Sequence, residues 1–162
     1  MEMEGAFHTL CAGFFDQRLA DFGFVLTKQI SEHFDHHCER VYEKKRDGEA
    51  FLTVEFLLGG SDYRDWFPPE IRVVLGAFTE SHWIGIGLFR LVQAKHPERR
   101  ITKRAKRHQA DPYSYILSSG LGPRRARADL EAVLKRIADD LFESGDEFLR
   151  GNLKQFIQLR NE

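Results

Sequence analysis

Asp47-Gly48 lies between two segments that both read as strands, and no other dipeptide in the chain constrains the fold as tightly. Both residue types tolerate the positive φ angles of a tight type I′ turn, whose twist suits a two-strand hairpin. The flanking segments are Cys38–Arg46 and Glu49–Leu58. Pairing Arg46 with Glu49 predicts a register that sets Val41 opposite Val54. It also gathers Leu52, Val54, Phe56 and Leu58 on one face, because strand side chains alternate. That face is assigned to the core. The opposite face mixes Phe51 and Leu57 with Thr53 and Glu55, which predicts partial cover.

An isolated hairpin is marginal in water, so other segments must cover its apolar face. Phe7, Leu10, Cys11, Phe14, Phe15 and Leu19 recur at steps of three and four, predicting a helix over residues 6–20. Phe24-Val25-Leu26-Thr27 reads as a strand, as does the alternation of Ile71, Val73, Leu75 and Ala77. Residues 84–96 fit both periods: Ile84, Ile86 and Leu88 alternate, while Leu88, Leu91, Val92 and Lys95 step as a helix. A helix stopped by Pro97 is the favoured reading. Leu130, Val133, Leu134, Ile137, Ala138 and Leu141 form a long helical stripe. A second stripe follows, from Leu149 through Leu153, Phe156 and Ile157, broken at Gly151, with Asn152 and Gln155 as an expected capping box. This order predicts an α+β fold: an antiparallel sheet of about four strands, with the N-terminal helix and the C-terminal helices on one face. Residues 1–162 are expected to form one domain, with 95–127 as a basic, partly mobile connection and 128–162 as the C-terminal helices. The chain has 14 Phe against 4 Tyr and 2 Trp, so the core should be rich in Phe.

The net charge of −1 conceals a strong asymmetry. Residues 1–94 carry a net −6, residues 95–127 a net +8 and residues 128–162 a net −3. The acidic start, without a following apolar run, predicts no secretory signal, and the greasiest stretch, Phe51–Leu58, is too short to span a bilayer. Two cysteines, Cys11 and Cys38, fit a reducing compartment. The expected location is cytoplasmic, with no membrane partner.

Four groups of residues invite a chemical reading. In His33-Phe34-Asp35-His36-His37-Cys38, imidazole and thiolate are both zinc ligands, and His33 and His37 would share one face of a helix. No second ligand pair completes that set, so a polar connection with Cys38 tucked inward is the expectation, and His33, His37 and Cys38 remain weak metal candidates. Glu43-Lys44-Lys45 fits the short acid-x-lysine pattern of metal-dependent nucleases, with Asp35 or Asp21 as the distant acid. Its place at the end of a hairpin favours a solvated rim. Arg100, Lys103, Arg104 and Arg107 would line one helix face and could neutralise phosphates. Lys95, Arg99, Lys106, Arg124, Arg125 and Arg127 lie nearby in sequence, as do Tyr113 and Tyr115 for stacking. A solvated loop balancing the acidic remainder is the competing reading. Trp66 and Phe67, in a loop stiffened by Pro68-Pro69, would anchor a partner if exposed. There is no phosphate-binding glycine loop, dinucleotide turn or serine elbow, and no cofactor is expected.

Gly87-Leu88-Phe89-Arg90-Leu91-Val92 closing at Pro97, and Phe148-Leu149-Arg150-Gly151-Asn152 before Phe156, resemble small bacterial families of unknown function. Some members of such groups look like immunity proteins that guard against a secreted toxin. The resemblance implies a bacterial, non-enzymatic protein and carries no catalytic residues. The leading expectation is therefore a cytoplasmic binding protein, immunity-like, acting on another protein. Nucleic-acid binding through residues 95–127 is the alternative, and a metal-dependent enzyme stands third. The oligomeric state is left open.

Overall fold

A computed structural model describes residues 3–32, 37–59, 70–79, 82–99, 114–117 and 122–162. The chain opens with α1 (Met3–Cys11), a π-helical turn (Ala12–Asp16) and α2 (Gln17–Asp21). Next come β1 (Phe24–Glu32), β2 (His37–Arg46), β3 (Glu49–Gly59), β4 (Glu70–Thr79) and β5 (His82–Gly87). Then follow α3 (Leu88–Lys95), β6 (Ser114–Ile116), α4 (Pro123–Ser144), α5 (Asp146–Leu149) and α6 (Lys154–Arg160). The class is α+β, and the sheet is antiparallel in the order β1-β2-β3-β4-β5, with β6 also paired to β4.

Among the described residues six strands therefore replace the expected four or so. The two extra strands have different causes. Residues 84–96 satisfied both periods because they contain both elements: β5 takes Ile84 and Ile86, and the chain turns at Gly87 into α3. β6 is only three residues long, too short to show a period, and exists through pairing with Glu70, Ile71 and Arg72.

The hairpin turn is as expected, with Asp47 at φ 55° and Gly48 at φ 83°. Arg46 does pair with Glu49, but Val41 does not face Val54. Lys44 pairs with Leu52 while Lys45 pairs with Ala50, so Phe51 is an extra residue in β3. A bulge of this kind slips the register by one. Beyond it Tyr42 faces Val54 and Val41 faces Glu55. Leu52, Val54, Phe56 and Leu58 keep their common face and are all buried, because the slip lies between them and the turn.

Ile71, Val73, Leu75 and Ala77 of β4 extend that face and are buried with it. Helical residues meet it: the Phe15 ring lies 4.4 Å from that of Phe56 and 6.3 Å from that of Phe142 in α4. The expected α4 stripe, Leu130, Val133, Leu134, Ile137, Ala138 and Leu141, is buried throughout. Each of its Leu, Val and Ile side chains contributes about 1.5–3 kcal/mol on burial.

The first helix has an internal irregularity with a legible cause. Its larger buried apolar residues, Phe7, Cys11, Phe15 and Leu19, recur every four residues. Each such step overshoots a 3.6-residue turn by about 40°, so a regular helix would swing Leu19 off the core. The wider π turn absorbs this drift. Near the C-terminus, Asn152 Oδ1 accepts from the Lys154 backbone N–H at 3.3 Å, and Leu153 is the residue preceding α6. The capping box expected between Asn152 and Gln155 is not formed.

Candidate interaction face

The residues singled out from the sequence divide sharply. Trp66, Phe67, Arg100, Lys103, Arg104, Arg107 and His33 lie outside the described residues. His37 is described and begins a strand, so the helical i, i+4 relation to His33 does not hold for it. Its Nε2 lies 3.7 Å from the Glu39 carboxylate, while neighbouring Cys38 is buried on the other face. Among the described residues no three His, Cys, Asp or Glu side chains group to hold a metal. Burial pushes the Cys11 thiol well above its ordinary range, which keeps it neutral and unreactive. Strand alternation also splits Glu43-Lys44-Lys45. Glu43 belongs to the face opposite the core, whereas Lys44 turns inward and donates to the Leu149 carbonyl at 3.0 Å.

Two polar clusters are built into the interior. Arg40, 2% exposed, sits on the core face of β2. Its Nε donates to Tyr42 at 2.7 Å, its Nη1 to Gln29 at 3.0 Å and its Nη2 to Asp16 at 2.9 Å, and the Tyr42 hydroxyl also donates to Asp16. His8 lies beside this group, with Nε2 within 3.0 Å of the Ile30 carbonyl oxygen. The π turn ends at Asp16 and so delivers the counter-ion for a buried cation. The second cluster centres on buried Asp140 of α4. Arg99 reaches both of its carboxylate oxygens, at 2.6 and 3.2 Å, and the Tyr115 hydroxyl donates to it at 2.7 Å. His96 and Lys95 hold neighbouring Glu143. Two cations of the basic segment, Lys95 and Arg99, are thus engaged by acids of α4. Both clusters spend their hydrogen-bonding capacity on the protein itself.

The face of the sheet opposite the core behaves differently. Val25, Glu43, Thr53, Gly76 and Gly85 form one row across five strands, and Lys28, Val41, Glu55, Val74 and Gly87 form the next. Trp83 points to this side, because Ile84 and Ile86 pair with core residues Ala77 and Leu75. Its indole lies flat across Gly76 and Gly85. A Cβ on Gly85 would come within 2.5 Å of Cη2, and one on Gly76 within 2.7 Å of Cε2. The Nε1–H donates to the Thr53 hydroxyl at 3.3 Å. The ring is thereby fixed, yet the residue stays 45% exposed. Five large apolar residues are exposed among those described, and three of them, Val25 (57%), Phe78 (41%) and Trp83, occupy this face. At the hairpin end it runs into a groove of about 730 Å³ lined by Arg46, Glu49, Phe51, Phe78 and Leu153.

Sequence reasoning chose Trp66 as the aromatic anchor and passed over Trp83. The usable signal was Trp83-x-Gly85 at strand spacing, which clears room for a ring beside it on its own face. The second glycine, Gly76, comes from another strand and is linked to the first only by pairing. Comparison with known proteins adds no identification: no family model, curated protein or solved structure matches the chain.

Proposed function

We propose that this chain is a non-enzymatic binding protein, bacterial and cytoplasmic, that acts through a protein–protein interface in the manner of an immunity protein. In this reading the N-terminal and C-terminal helices cover one face of the sheet, and the opposite face meets the partner. The observation that carries it is Trp83, a large ring locked in place by Thr53, Gly76 and Gly85 while remaining exposed. A rigid aromatic surrounded by flatter surface is the usual anchor of a protein interface, because little side-chain freedom is lost on binding. Phe78 and the groove at the hairpin end offer a second place for a partner side chain. The occupation of Lys95 and Arg99 by α4 acids weighs against the nucleic-acid alternative.

A pull-down from native lysate tests this, run with and without nuclease and with Trp83→Ala in parallel. A protein partner retained after nuclease and lost with Trp83→Ala is the expected result. Loss of a hot-spot anchor corresponds to at least about 2 kcal/mol, roughly 30-fold in affinity. Material that disappears on nuclease treatment would replace this reading with the nucleic-acid one.

A further inference from the structure

We propose that the face around Trp83 receives a basic protein segment, with a lysine or arginine side chain lying over the indole between Glu43 and Glu55; the proposal rests on the protein-interface reading above. Thr53 already takes the indole N–H, so the ring offers a partner its π face alone. A π face attracts cations, tryptophan most strongly. The surrounding charge agrees. Glu43 stands directly across from Thr53 in β2, and Glu55 stands two residues along β3 on the same face. Cross-strand neighbours are about 5 Å apart at Cβ, and residues two apart along a strand about 7 Å. A cation within about 6 Å of the ring is therefore also within reach of either carboxylate.

The two glutamates differ from Glu39 on the same face. Glu39 is paired with Lys28 at 3.1 Å, and the His37 Nε2 lies 3.7 Å from its carboxylate. No described cation forms an ion pair with Glu43 or Glu55. Burial, and then the nearby charge of Glu39, hold the Glu55 carboxyl above its ordinary range despite the opposing charge of Lys28, a cost that a cation arriving closer would relieve.

Fluorescein-labelled octa-arginine and octa-glutamate peptides, titrated by anisotropy against the full chain, provide the test. Octa-arginine should bind and octa-glutamate should not. Trp83→Ala, Glu43→Gln and Glu55→Gln should each weaken octa-arginine binding by about three- to fivefold, and Trp83→Phe by less. Glu131→Gln and Asp139→Asn, exposed acids of α4, should leave it unchanged. Because the glutamine variants alter only side chains on the sheet face, they keep the test valid if Trp83→Ala is poorly folded. Equal losses at the α4 positions, or no binding of octa-arginine, would overturn the proposal. The two readings separate cleanly. A Trp83-dependent complex from lysate without octa-arginine binding sinks the basic partner and leaves the protein interface. A lysate complex indifferent to Trp83→Ala sinks both.

Discussion

Removing the carboxylate of Asp16 should expose how strongly the fold depends on the Arg40 cluster. The Arg40 side chain is only 3% exposed, and Asp16 is its ion-pair partner at 2.9 Å. Breaking a fully buried pair by deleting one partner costs about 3–5 kcal/mol, because a bare charge stays inside. The Asp16 side chain is 46% exposed, so water enters the vacated position and lowers that figure. The Tyr42 hydroxyl loses its acceptor as well. A hydrogen bond to a charged group is worth about 1.5–3 kcal/mol, so the expected cost of Asp16→Ala is about 2–3 kcal/mol. With a urea slope near 2 kcal/mol/M, the unfolding midpoint at neutral pH should fall by about 1–1.5 M. Lys28→Ala, which removes the exposed partner of Glu39, should cost less than about 1 kcal/mol in the same assay. Adding Arg40→Met to Asp16→Ala should recover stability, because the unpaired cation goes with it. An Asp16→Ala midpoint within experimental scatter of the parent, or a double variant weaker than Asp16→Ala alone, would refute the reasoning.

Three further outcomes follow from the same packing. Burial, together with the positive charge of Arg40, holds His8 below its ordinary value of 6.5, against the opposing pull of the Ile30 carbonyl. Stability should thus be complete above pH 6.5 and fall as the pH drops through and below it, with His8→Gln flattening that limb in denaturation series from pH 7 to 5. Phe56→Ala empties a fully buried site between Phe15 and Tyr42, and its chemical-denaturation midpoint should report a loss of about 3–5 kcal/mol. Gly76→Ala should lift Trp83 from the sheet at a cost of about 1–3 kcal/mol, seen as red-shifted emission in a Trp66→Phe background.

Much of the architecture was legible because it rests on neighbours in the chain. The Asp47-Gly48 turn, the inward set of Leu52, Val54, Phe56 and Leu58, and the α4 stripe each follow from a local period and a local turn preference. A core built on Phe7, Phe15, Phe24, Phe56 and Phe156 followed from composition.

What only the tertiary structure decided is how distant segments align, since that depends on summed contacts across strands and not on any single segment. The bulge at Phe51 moved Val41 from Val54 to Glu55, and with that shift set Glu43 across from the Thr53 that holds Trp83. β6 gained strand form only by lying against β4. Arg40 stands between Glu39 and Val41 and reads as a surface residue. Strand parity turned it inward, and partners from three separate segments, Asp16, Gln29 and Tyr42, made its burial tolerable. Trp83 acquired its exposed, rigid pose in the same way: a ring needs a flat floor, and that floor was assembled by pairing Gly76 of β4 with Gly85 of β5.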